Sequence, residues 1–287
     1  MKLAAAIIAL LWQASGALAR EPPPGPRVGD VYEIRSERVS TRQSADGSGS
    51  SHDRDSIVER VIAVRDGGVE LEFDLAPDAT AQDRAASWQF PVRVFRPSQG
   101  PLELLNGAEL ESRVDPWLRA AGWTREICGH WIFTWNAFRI DCDPQSAVAI
   151  VAGFDLEADD LRDGAAYREA GALGEGMLRR EPRGSGGAAF TVRLEVDPEA
   201  VRRERAEADA VTIELLGDSP QLRAAMQARS AERISGTVDL AFETDEAGRV
   251  RRRTKITTLR IEEAGGRRET ETITHTLERR LVSRSAR

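Results

Sequence analysis

Two blocks of strict alternation, one near each end of the chain, constrain this sequence more than any other feature. Val69, Leu71, Phe73 and Leu75 alternate with Glu70, Glu72 and Asp74, the period-two signature of a strand with one buried and one wet face. Near the C-terminus Val238, Leu240 and Phe242 alternate again. Further on, Thr270, Thr272, Thr274 and Thr276 share one face while Ile273, His275, Leu277 and Leu281 share the other. Turn chemistry separates the runs at Arg65-Asp66-Gly67-Gly68, Asp245-Glu246-Ala247-Gly248 and Ala264-Gly265-Gly266, where glycine tolerates the positive φ of tight hairpins. The pattern predicts antiparallel meanders at both ends. Within the first, Trp88, Phe90, Val92 and Val94 read as a further strand, and the Ser-, Gly- and Asp-rich residues 44–55 read as a polar loop.

The middle of the chain follows a different period. Leu110, Val114, Trp117, Leu118 and Ala121 recur at three and four residues, an amphipathic helical stripe, with Asp115-Pro116 expected to divide it into two short helices. Asp143-Pro144, Asp197-Pro198 and Ser219-Pro220 each place a polar cap before proline, the grammar of a helix start. Sheets at both ends with helices between define an α+β class. The expected form is one curved sheet or half-barrel made by the N- and C-terminal meanders, with the middle helices packed against it. Apolar residues make up 41% of 287, enough for a substantial core.

Residues 1–19 read as a secretory signal peptide: Lys2, an apolar run from Leu3 to Trp12, and an Ala17-Leu18-Ala19 cleavage site. Residues 20–27 form a Pro-rich leader, 28–283 a single α+β domain and 284–287 a tail. No later stretch approaches eighteen apolar residues, so no transmembrane segment is expected in the mature chain. The expected location is exported, with the periplasm as default and the extracellular space as the other destination. In such oxidising compartments Cys128 and Cys142, the chain's two cysteines, are expected to form a disulfide. A hairpin centred on Trp135 would set them opposite each other. A helical reading of 128–142 also stands, because Trp131, Trp135 and Phe138 are spaced four and three apart.

Three groups of residues are candidates for function. Trp131, Phe133 and Trp135 would share one hairpin face, as an aromatic interaction surface or as a small core beside the disulfide. Phe73, Trp88, Phe90, Phe242, His275 and Leu277 would line a ligand cavity if the sheet encloses one. Asp155, Glu157, Asp159 and Asp160 form an acidic run, read as a solvated turn. Residues 249–287 carry twelve Arg and Lys against five Glu, expected to pair with the acidic N-terminal strands; the functional alternative is attraction of lipid phosphates or acidic polysaccharide. His52, His130 and His275 show no metal-ligand spacing, so neither a metal nor another cofactor is expected. A net charge of −7 argues against nucleic acid.

No nucleophile elbow, zinc-helix or phosphate-loop motif occurs. The composite reading is a non-catalytic envelope protein that binds a hydrophobic or amphipathic small molecule, such as a lipid, in a β-sheet cavity. In outline it resembles the half-barrel lipid and lipoprotein carriers of the bacterial envelope, a resemblance of architecture without a shared motif. One alternative is an envelope interaction module whose aromatic segment 117–138 docks a protein partner. A second is a hydrolase built on unrecognised acidic residues.

Overall fold

The computed structural model describes residues 25–133, 137–156, 158, 160–182, 187–216, 222–263 and 265–283. The signal-peptide reading, the Ser219-Pro220 helix start and the C-terminal tail lie outside them. The N-terminal meander comprises β1 (Val31–Ser44), β2 (Gly47–Arg65), β3 (Gly68–Leu75), β4 (Val92–Pro97) and β5 (Glu103–Leu104). Helix α1 (Ala81–Ala86) bridges β3 and β4. The middle holds α2 (Gly107–Ala120), the hairpin β6 (Trp131–Phe133) and β7 (Ala137–Arg139), and α3 (Ser146–Ala152). Short strands β8 (Ala166–Tyr167), β9 (Ala172–Leu173), β10 (Gly176–Met177) and β11 (Arg179–Pro182) follow. The C-terminal part is β12 (Ala188–Val196), α4 (Pro198–Leu215), α5 (Leu222–Ala228), β13 (Arg233–Thr244), β14 (Val250–Glu262) and β15 (Arg268–Ser283).

Both meanders belong to one curved, open antiparallel sheet of eleven strands, ordered β11-β12-β13-β14-β15-β1-β2-β3-β4-β5 with β9 beside β12. The first strand of the sequence pairs with the last: Ile34 faces Arg279, Ser36 faces Leu277 and Arg38 faces His275. Period-two alternation then carries one side chain in two onto a covered face. That face supplies Ile34, Ile57, Leu71, Phe73, Val192, Leu240, Phe242 and Leu277 to one core. Fully burying each such side chain is worth about 1.5–3 kcal/mol. The predicted helical stripe is realised in α2, which buries Leu110, Val114 and Leu118.

Three local expectations are corrected. Residues 44–55 are strand, not loop, apart from a two-residue turn at Ala45–Asp46. The ladder runs through Gly49↔Arg42 and His52↔Val39, because backbone pairing with β1 needs no apolar side chain. Glu37 on β1 further accepts hydrogen bonds from His52 (2.7 Å) and Arg54 (2.9 Å) on β2. Trp88 and Phe90 precede β4, which begins at Val92. Pro116 lies inside a continuous α2. The buried stripe spans both sides of the proline, and Trp117 Nε1 donates to the Ala86 carbonyl oxygen (3.1 Å), so tertiary packing outweighs the local penalty. By contrast Asp197 caps α4 as its sequence suggests, its carboxylate accepting from the Glu199 amide at 2.9 Å.

Basic residues of the C-terminal block pair with N-terminal acids at Glu33 and Asp46, as expected, and at Glu278 with an acid of their own block. Arg280 meets Glu33 at 2.7 Å, Arg267 meets Asp46 at 2.8 Å and Arg252 meets Glu278 at 2.9 Å. Residues 131–133 and 137–139 pair as the two arms of a hairpin, with Trp131↔Arg139 and Phe133↔Ala137. Cys128 and Cys142 are bonded, their Cα atoms 5.6 Å apart.

Candidate functional site

Strand register sorts the side chains of the core-facing phase into rows that cross the sheet, buried or half-buried from β12 to β15 and exposed at Arg38, Asp53 and Asp55. One row reads Asp53, Arg38, His275, Lys255, Leu240 and Val192 on β2, β1, β15, β14, β13 and β12. The next reads Asp55, Ser36, Leu277, Arg253, Phe242 and Phe190. Phe242 and Leu277 are fully buried, so this second row has a solid centre. Polar chemistry gathers on either side of that plug.

On one side a chamber of about 200 Å³ opens between α4 and the sheet. Arg38, Lys255, His275 and Glu204 line it together with Val201, Val238, Leu259 and Ile273. Lys255 Nζ donates to Glu169 Oε1 at 2.8 Å, and Arg253 donates to the same carboxylate at 2.8 and 2.9 Å. Tyr167 OH also donates to Glu169, at 2.8 Å. Burial pushes the Tyr167 hydroxyl pKa up to about 12. Burial works to raise the Glu169 carboxyl, but Lys255, Arg253 and the tyrosine outweigh it and hold the group below the usual range. His275 Nε2 lies 3.0 Å from Ser36 Oγ. Burial first, then the charges of Arg253, Arg38 and Lys255, lower the imidazole pKa below 6.5.

On the other side lies a cleft of about 770 Å³ between the ends of β3 and β4, the 98–102 segment and α3. Its walls include Val69, Leu71, Pro101, Leu102, Val148 and Ala149, while Arg96 near the end of β4, Arg249 just before β14 and Arg279 within β15 converge on it. Arg279 is ion-paired with the buried Glu59 and stacks over the Tyr32 ring at 4.0 Å. Arg96 meets Asp155 at 3.2 Å and Glu59 at 3.9 Å, and its Nε is buried without a hydrogen-bond partner. Arg249 donates to Tyr32 OH at 3.2 Å. The arrangement can take a molecule with an apolar body and a hydrogen-bond-accepting head. A groove of about 890 Å³ on the opposite face of the sheet is floored by Glu33, Arg35 and Arg280, which already pair with one another.

Of the residues singled out as cavity-lining, Phe73, Trp88, Phe242 and Leu277 are buried in the core, and Phe90 packs against it. His275 faces the small chamber. In the aromatic segment, Trp131 is half-buried, Phe133 is 66% exposed and Trp135 lies outside the described residues. Trp117 packs between Trp88 and Trp123, ring centroids 6.2 and 5.9 Å away. Asp160 is held by Arg162 at 2.5 Å, and Glu157 and Asp159 lie outside the described residues. No cluster of three His, Cys, Asp or Glu side chains fit to hold a metal occurs among the described residues. Arg249, Arg253 and Arg279 belong to the basic C-terminal block noted in the sequence, but their meeting with Arg96 and Arg38 at two recesses was not read there, although a signal was present. Arg253 and Lys255 fall in phase with the apolar Leu259 and Ile261, and charge in the buried phase of a strand requires an explanation.

The class these features define is an open, curved antiparallel sheet whose covered face is closed by helices and interrupted by two charged recesses. No protein-family description matches the chain, and no curated protein matches it. Among solved structures, lipovitellin, from work on its lipid–protein interactions, aligns with 91% of this chain at 11% identity and a TM-score of 0.42. This chain spans about a quarter of the lipovitellin chain, 26%. Neisserial surface protein A aligns over 86% of this chain and 96% of its own, at 6% identity and a TM-score of 0.21.

Proposed function

We propose that this is an exported, non-catalytic binding protein that takes an amphipathic molecule, lipid-like in having an apolar chain and a polar head, into the 770 Å³ cleft. The observation that carries the reading is the convergence of three arginines at the end of an apolar-walled recess. Its volume falls in the range of roughly 300–1,000 Å³ common to small-molecule sites. The neighbouring carboxylates, Glu59, Asp155 and Asp245, are each engaged by a guanidinium group, which favours holding a head group over shuttling a proton. The Cys128–Cys142 bond supports residence in an oxidising compartment. The continuous sheet supports reading residues 28–283 as one domain.

The test is titration of delipidated protein with a dansylated eleven-carbon fatty acid. A saturable fluorescence rise is expected in the wild type. Ala149, an exposed residue of α3 on the cleft wall, is the place to block it: Ala149→Trp should abolish the rise with melting unchanged. Absence of a saturable rise, or a rise indifferent to Ala149→Trp, would overturn the proposal. The alternative of a docked envelope partner draws support from one feature, the exposure of Phe133 and Phe138 on the stapled hairpin.

A further inference from the structure

We propose that the 200 Å³ chamber between α4 and the sheet is a second, separate site, for a small carboxylate carrying a short aliphatic chain. Its basis is the cross-strand row in which Arg38, His275 and Lys255 occupy adjacent positions on β1, β15 and β14. The fixed cations of the row are Arg38 and Lys255, on either side of the His275 imidazole; Lys255 is ion-paired with Glu169 at 2.8 Å, whereas Arg38 is not ion-paired with any described residue. Arg253, one row away on β14, adds a third fixed cation.

The facing anions fall short. Glu169 is the one carboxylate reaching into the group, and Arg253 and Lys255 share it. Asp53 continues the row on β2 but makes no ion pair with Arg38, and Arg38 makes no ion pair or hydrogen bond with any described residue. Glu204, from α4, is an exposed residue on the lining. On the lining itself Arg38 and Lys255 face the single carboxylate of Glu204, an excess of one fixed positive charge at the mouth of the recess, where the Arg38 guanidinium can pair with a carboxylate. Val201, Val238, Leu259 and Ile273 give the recess an apolar side. The volume is below the range of drug-sized ligands, which limits the tail to a few carbons. The depressed basicity of His275 is a consequence of the same positive surroundings as well as of burial.

The experiment is calorimetric titration of the full chain with hexanoate, acetate and inorganic phosphate. Hexanoate should bind saturably and at least tenfold more tightly than acetate or phosphate. Arg38→Gln, which removes an exposed and unpaired side chain, should weaken hexanoate at least tenfold with melting unchanged. Ala149→Trp should leave hexanoate binding intact, while the dansyl probe in the cleft should be indifferent to Arg38→Gln. The proposal falls if hexanoate does not bind or if Arg38→Gln has no effect. Equal binding of acetate or phosphate would mean a bare electrostatic patch, and loss in Ala149→Trp would assign the anion to the cleft; either result also overturns it.

Discussion

Glu59 on β2 and Arg279 on the last strand, 220 residues apart in sequence, are ion-paired beneath the cleft. Glu59 is 1% exposed and also lies 3.9 Å from Arg96. Replacing it removes a buried carboxylate that two guanidinium groups face, a loss of roughly 3–5 kcal/mol in comparable cases. Glu59→Gln is therefore expected to lower the urea midpoint strongly. The exposed pair Arg280–Glu33 is the control: Arg280 is 67% exposed, and Arg280→Ala should cost under about 1 kcal/mol. Equal effects of the two substitutions would contradict this description of the sheet.

The chamber residues make stability depend on pH in two separate windows. The His275 imidazole faces Arg38 from β1, Arg253 and Lys255 from β14, and Glu169 from the segment before β9, and its folded pKa lies below 6.5. The unfolded chain therefore takes up this proton first. Stability from this group is complete above pH 6.5 and declines as pH falls to the folded value. Glu169 has a folded pKa below 4.5, so its contribution is present above that pH and is lost on further acidification. In thermal melts across pH 3–8, His275→Gln should flatten the upper step relative to wild type and Glu169→Gln the lower one. A wild-type-like slope in both variants would refute the assignment.

Reduction of the Cys128–Cys142 bond releases a loop of sequence separation 14. Chain entropy assigns such a closure about 3 kcal/mol. The Cys128→Ser/Cys142→Ser protein should show a lower denaturant midpoint by about that amount. Circular dichroism should remain sheet-dominated, because the large sheet does not include β6 or β7.

Phe133 and Phe242 should respond oppositely to truncation. Phe133 is 66% exposed, whereas Phe242 is 0% exposed. Phe133→Ser is expected to stay within about 0.5 kcal/mol of wild type, while Phe242→Ala should cost about 3–5 kcal/mol. A large loss at Phe133 would make the hairpin face part of the core and remove the support for docking there.

The sequence by itself determined the strands and their faces. Alternation at 69–75, 238–242 and 270–281 is a local property of each segment, fixed by the opposed directions of successive side chains. The same locality made the hairpin's disulfide and the cap at Asp197 legible. Local rules failed where the deciding partner was remote. Residues 47–56 became strand because β1, already paired to the C-terminal β15, offered them a ladder. Pro116 stayed helical because buried contacts on both sides of it outweighed its local cost. Only the tertiary structure could bring Arg96, Arg249 and Arg279 to one recess and Arg38, His275 and Lys255 into one row. Those sets depend on register between strands that are far apart in the chain, and register is set by the packing of the whole sheet.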